Sequence, residues 1–176
     1  MSRANGISEE MVKLAAEAGC TEIAIGIESV WPETLKLINK GINLEKAKAY
    51  IKTLKKYEIG TKLLFILGLP GESDDIVSHT LDFIDETEPT GVQLALLCPL
   101  PGSEIGDNPE KFGIKNINPN WDEYRMLYGR FDEGEKPQLM FEYEDVTPWG
   151  KSKSTEKIVS DYIELQAILR EKGLNF

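Results

Sequence analysis

The stretch Lys62-Leu-Leu-Phe-Ile-Leu-Gly-Leu-Pro-Gly-Glu-Ser73 decides the fold. Its apolar run, Leu63 to Leu67, ends abruptly in a turn marked by Gly68, Pro70 and Gly71. A run this apolar between turn residues predicts a strand buried on both faces. Ser73-Asp74-Asp75 then open a helix, where negative charge complements the positive end of the helix dipole. Strand, glycine-rich turn and helix in that order belong to an α/β protein, in which ligands bind at the carboxyl ends of strands. Gly26-Ile27-Glu28-Ser29 stands upstream in the same kind of position, and Pro99-Leu-Pro-Gly-Ser-Glu104 stands downstream. Three such strand ends point to one shared site.

Outward from this centre the elements alternate. Ser8 is suited to cap a first helix with Glu9 and Glu10 in its first turn, Met11, Leu14, Ala15 and Ala18 as its apolar stripe and Gly19 as its stop. Thr21 to Ile27 reads as a strand, with Ile23, Ile25 and Ile27 on one face and the small residues Ala24 and Gly26 on the other. Those small residues leave room for a packed helix or a ligand. A short helix begins at Pro32, and a longer one runs from the Asn43 cap to about Tyr57. Val77, Leu81 and Ile84 mark the helix after the central turn, and Val92 to Leu97 is the third strand. Alternating helices and strands of these lengths imply parallel strands joined by right-handed crossovers. The pattern fits a slice of a (β/α) barrel or part of a doubly wound sheet.

From about Ile105 to Lys153 the periodicity degrades. Trp121, Tyr124, Tyr128, Phe131 and Trp149 are scattered among Asn, Pro, Gly and acidic residues, and are expected to anchor loops. One short helix near Trp121 to Tyr128 and a short strand within Gln138 to Tyr143 are predicted. The last helix is clear: Ser154 caps it, Ile158, Tyr162, Leu165 and Leu169 line one face, and Gly173 ends it.

Composition narrows the function classes. The chain has 176 residues, 41% hydrophobic and 28% charged, enough for one domain with a sizeable core. A net charge of −10 repels phosphate backbones and argues against nucleic acid as a partner. No apolar run approaches the roughly 20 residues that span a bilayer, so no membrane role is expected. The two cysteines, Cys20 and Cys98, form neither a disulfide framework nor a CxxC metal site, and buried, inert thiols in a cytoplasmic setting are expected.

The strand-end residues have unequal claims to a function. Gly68 to Ser73 is not a phosphate loop, because Glu72 stands where such a loop needs lysine. A tight turn with no ligand explains it as well as a bare backbone approached by a flat ligand. Glu28 at a buried strand end is costly unless it is paired or exposed in a site. Lys40 is a candidate partner, although a cation at a helix C-terminus has its own explanation in the dipole. Glu72 is accounted for by its place near a helix start. Glu28 and Ser29 are the hardest to explain structurally, and His79 lies off its helix's apolar stripe, on a solvated flank.

Four segments together resemble the radical S-adenosylmethionine (radical SAM) enzymes. Leu14 to Ser29, with Glu33 to Gly41, resembles the family's fourth-strand region; Phe65 to Glu72 resembles the fifth strand, and Pro99 to Glu104 follows the sixth. The closest flavour is the branch associated with cobalamin, which includes methyltransferases and cyclases. The resemblance implies a partial TIM-like barrel: residues 1–104 as the C-terminal half of a (β/α) barrel, with Arg3 marking the end of its third strand. Residues 105–176 form an irregular extension ending in a helix. It implies S-adenosylmethionine (SAM) and a 4Fe–4S cluster as the family's cofactors, the cluster held by a CxxxCxxC loop and cleaving SAM to a 5′-deoxyadenosyl radical. That loop is absent here, so no cluster is expected in this chain, which is then inactive alone.

By position, Glu28 and Ser29 lie near the SAM methionyl group or ribose, and Lys40 reaches its carboxylate. Ile66, Gly68, Leu97 and Cys98 flank the adenine. The resemblance leaves the small-molecule substrate open. It makes the missing barrel half, or a second copy, the expected partner, unless the C-terminal segment covers the open edge of the Thr21 to Ile27 strand. The alternative function is a non-catalytic α/β binding or interaction module.

Overall fold

A computed structural model describes residues 7–124 and 137–174. Its centre is a three-stranded parallel sheet in the order β1 (Glu22–Glu28), β2 (Gly60–Leu67), β3 (Gly91–Leu96). The register pairs Ile25 with Leu63 and Leu63 with Val92, so each row of side chains runs across the sheet on one face. Helix α1 (Glu9–Glu17) leads into β1, α2 (Pro32–Leu37) and α3 (Leu44–Lys56) connect β1 to β2, and α4 (Ile76–Thr87) connects β2 to β3. Ser8 and Asn43 cap α1 and α3 by accepting from the Met11 and Lys46 backbone N–H groups. The architecture is a partial (β/α) barrel; three strands do not close one.

One face of the sheet carries the core. Ile25, Ile27, Leu63, Phe65, Leu67, Val92, Leu94 and Leu96 pack against α1, α3, α4 and the last helix, α6 (Thr155–Glu171). On α6, Ile158, Tyr162, Leu165 and Leu169 are fully buried, each worth about 1.5–3 kcal/mol of burial. The opposite face holds Ala24, Lys62, Leu64, Ile66, Gln93 and Ala95, all half-buried. β2 is therefore not buried on both faces as its composition predicts: burial alternates along it, because every sheet-covering helix lies on one side.

Three smaller expectations change as well. In α1 the buried residue is Val12, and Met11 and Leu14 face outward, because the helix rests on α3 through Val12, Ala15 and Ala16. α4 starts at Ile76, and Ser73 instead accepts from the Asp75 N–H within the turn. The described part of the expected Trp121 to Tyr128 helix is a 3₁₀ turn over Trp121–Glu123, with Trp121 stacked on Tyr124. Residues 125–136, with Tyr128 and Phe131, lie outside the described residues, as does Arg3.

The segment after β3 returns to the sheet. It contains α5 (Glu104–Asp107), β4 (Ile114–Lys115) paired antiparallel with β5 (Glu142–Tyr143), and a hairpin of β6 (Val146–Thr147) and β7 (Gly150–Lys151). Leu69, Leu97, Phe112, Ile114 and Phe141 form a second apolar cluster, against which Ile66 packs. The chain then enters α6, and the Leu174 carbonyl accepts from the Val92 N–H. The C-terminal segment thus meets β3, and among the described residues β1 is an edge strand. Among the described residues no helix is long and apolar enough to cross a membrane.

Candidate functional site

At the end of β1 the ladder slips between Gly26 and Glu28, and Glu28 takes a left-handed conformation with φ 66°. A non-glycine residue is seldom held there unless its surroundings demand it. Here the carboxylate folds back over Gly26, where a Cβ would lie 2.4 Å from Glu28 Oε1. The same oxygen accepts from Lys40 Nζ at 2.8 Å, and both side chains keep access to water. Gly26 shares a row with Leu64 and Gln93, so the ion pair lies on the open face of the sheet, the face that also bears Ile66. Lys40 also borders a shallow groove beside Pro32, Leu35 and Ile42.

Ser29 is buried, and its hydroxyl accepts from the Trp31 N–H at 3.1 Å, fixing the turn into α2. Ile66 and Leu97 contact the second apolar cluster. Cys98 is half-buried, and burial pushes its thiol up to about 11. Cys20 is also half-buried, and its thiol donates to the Glu22 carbonyl. The thiols are therefore less buried than the sequence predicts.

At the end of β2 the arrangement is denser. Gly68, with φ 80°, turns the chain, and its N–H donates to Glu72 Oε2 at 3.2 Å. Its carbonyl accepts from the Tyr143 hydroxyl at 2.9 Å. Lys153 Nζ donates to Glu72 Oε2 at 3.3 Å and to Asp161 Oδ2 at 2.9 Å, and Lys157 reaches Asp161 Oδ1 at 2.5 Å. The side chains of Lys153, Glu72 and Asp161 are 4%, 2% and 1% exposed, which makes this a buried network. Burial pushes the Glu72 carboxyl up to about 7 against the opposing pull of Lys153 and the Gly68 N–H. Burial likewise raises the Tyr143 hydroxyl well above its ordinary value.

Gly68 and Glu72 also line a cavity of about 400 Å³, walled by Trp31, Trp149 and Tyr143. Of the residues the sequence marks as site residues, Gly68 alone borders it. Glu28 and Lys40 meet each other at a different strand end.

From sequence Glu72 reads as a helix-start residue, and nothing in its neighbourhood joins it to Lys153 or Asp161. One signal was present: Asp161 lies three residues after Ile158 and four before Leu165, on the apolar stripe of α6. An acid there needs a partner, and Lys153 and Lys157 are close in sequence.

A parallel sheet with helices on one face and polar strand ends defines the class as a (β/α)-barrel segment. Within that class the chain is a relative of the radical SAM enzymes: the radical SAM superfamily model matches residues 2–84. An uncharacterized methyltransferase of Pyrococcus horikoshii is 31% identical over 129 residues, which is 72% of this chain and 27% of the relative. Bacteriochlorophyllide d C-12(1)-methyltransferase of Chlorobaculum tepidum is 29% identical over 162 residues, 89% of this chain and 30% of the relative. This chain thus spans less than a third of the length of either relative. Among solved structures, the radical S-adenosylmethionine methyltransferase TsrM from Kitasatospora setae, with cobalamin and a 4Fe–4S cluster bound, aligns with a TM-score of 0.54 and 20% identity. The alignment covers 64% of this chain and 24% of that one.

The residues present do not fit the cluster. A site-differentiated 4Fe–4S cluster takes three thiolates, and this chain has two cysteines, far apart in sequence. No group of three His, Cys, Asp or Glu side chains suited to a metal ion occurs among the described residues. The strand ends do fit SAM in part: Glu28 supplies an acceptor, Lys40 a cation, and Ile66 an apolar neighbour on the same face.

Proposed function

We propose that this chain is the SAM-side segment of a radical SAM enzyme of methyltransferase type. It contributes part of the SAM-binding crevice, and the cluster ligands come from elsewhere in the assembled enzyme. The observation that carries this is the Glu28–Lys40 pair, held in a strained backbone over Gly26 on the open face of the sheet. Strain of this kind is retained where the surroundings demand a fixed geometry. Left-handed Glu58 and Glu88 stand just past helix ends, where that conformation closes the helix, whereas Glu28 stands at the end of a strand.

In this assignment the Glu28 carboxylate accepts from a ribose hydroxyl, and Lys40 faces the methionyl carboxylate. Ile66, Gly68, Leu97 and Cys98 form the apolar approach for adenine. The radical chemistry belongs to the cofactor, and this chain binds and orients. The open face and the β1 edge are where further barrel strands, or a second copy, pair with it. Light scattering that finds only monomer at every concentration sinks the second copy.

SAM binding by this chain alone is expected to be millimolar, about 4 kcal/mol on the standard scale, because the iron that chelates the amine and carboxylate is not supplied here. A SAM titration followed by amide shifts tests the assignment. Residues Gly26 to Ser29 and Phe65 to Gly71 should move together, and Glu28→Ala should weaken the response. Shifts confined to 137–149, or none at high ligand concentration, return the chain to a non-catalytic α/β module.

A further inference from the structure

Gly68 belongs to the adenine approach, yet the C-terminal segment holds it from three directions. Its N–H donates to Glu72 Oε2, and Lys153 donates to that same oxygen. Its carbonyl accepts from the Tyr143 hydroxyl. A Cβ on Gly68 would lie 2.9 Å from Ile158 Cγ2 and 3.5 Å from Leu139 Cδ1. The space left by the missing side chain is therefore filled by α6 and the segment before it, and no ligand enters there. A glycine at φ 80° turns the chain unaided. Burying Glu72, Lys153 and Asp161 beside it is costly, and the turn alone does not require it.

Two consequences reach the crevice. Gly68 offers a ligand no free backbone donor, so its part is to set the path of the chain. That path carries the groups a ring would touch. Ile66 stands two residues earlier, on the open face of the sheet. The Leu67 carbonyl, next to Gly68, accepts from the Leu97 N–H at 2.8 Å. A displacement of the Gly68 turn thus carries Ile66 with it and, through the Leu67 carbonyl, Leu97 on the neighbouring strand end.

We propose that Tyr143, Glu72 and Lys153 are positioning residues for the SAM crevice: through Gly68 the C-terminal segment fixes where Ile66 and Leu97 meet the adenine. None of the three touches the ligand. This positioning role rests on the SAM-side assignment and adds to it a control from residues remote in sequence.

The full chain carrying Tyr143→Phe is compared with the full chain carrying Ser8→Ala. Each change removes one hydrogen bond, the first at the clasp and the second at the α1 cap, so their losses of stability are alike. Without ligand, Tyr143→Phe should shift the amide signals of Ile66, Leu67 and Leu97, and Ser8→Ala should leave them in place. With SAM, Tyr143→Phe should weaken binding about fivefold, the effect of one hydrogen bond, while Ser8→Ala binds as the parent does.

Glu72 supplies a conservative pair. Glu72→Leu should weaken SAM binding at least as much as Tyr143→Phe, and Glu72→Gln, which keeps an oxygen for the Gly68 N–H, should recover most of that loss. If Glu72→Leu does not fold, the comparison of Tyr143→Phe with Ser8→Ala decides alone. Equal SAM binding by the parent and Tyr143→Phe, or unmoved Ile66 and Leu97 signals, overturns the positioning role and leaves the SAM-side assignment standing. A parent chain that gives no SAM response overturns both.

Discussion

Two neighbouring strands end in a carboxylate paired with a lysine, and the two pairs differ in almost everything else. At β1, Glu28 and Lys40 lie 12 residues apart, both partly open to water, on a strained backbone. At β2, Glu72 and Lys153 lie 81 residues apart, both buried, with Asp161 completing the network. Water screens the first pair, so it contributes little to stability and remains available to a ligand. Burial makes the second costly to assemble and far more costly to break. The same residue types therefore give a candidate binding group at one strand end and a clasp for the C-terminal segment at the next.

Breaking the clasp should have the largest effect. Lys153→Met leaves two buried carboxylates facing each other with only Lys157 at hand. A loss of about 3–5 kcal/mol in unfolding free energy is expected by denaturant titration. A loss under about 1 kcal/mol would mean that water reaches the network.

Next comes the pH dependence of Glu72. Its carboxyl is raised from 4.5 to about 7 in the folded chain, so the folded state holds the proton more tightly than the unfolded state. Its contribution to stability is therefore best below about 4.5, declines as pH rises from 4.5 to 7, and is constant above that. Glu72→Gln removes the titration. Between acid and pH 8 the unfolding free energy of the variant should improve relative to the parent by about 3 kcal/mol. Parallel stability–pH curves for the two proteins would show that Glu72 is not the group responsible.

A smaller effect is expected from Tyr143→Phe, which removes the hydroxyl that donates to the Gly68 carbonyl. About 1 kcal/mol should be lost, and hydrogen exchange at Gly68 to Glu72 should quicken while α1 and α3 are unchanged. Uniform quickening throughout the chain would mean that the contact has no local role.

The smallest effect belongs to the open pair. Lys40→Met should cost at most about 1 kcal/mol yet reduce the SAM-induced shifts at Gly26 to Ser29. A loss approaching that of Lys153→Met would erase the distinction between the two strand ends.

Much of this was legible locally. The Ser8, Asn43 and Ser154 caps, the alternating strands and helices, and the α6 stripe follow from periodicity and short-range hydrogen bonding, which neighbours in sequence settle between themselves. Lys40 was legible as a partner for Glu28, because a short helix returns it to the strand it left.

What the chain by itself determined is the order of elements, the parallel topology, and the resemblance carried by its strand-end motifs. Tertiary structure decided which face of β2 is buried, since composition does not record on which side the helices lie. It decided that Ser29 turns inward to the Trp31 N–H, and that Glu72 meets a lysine 81 residues later. Those outcomes depend on burial and on contacts between segments remote in sequence, and no local pattern encodes either.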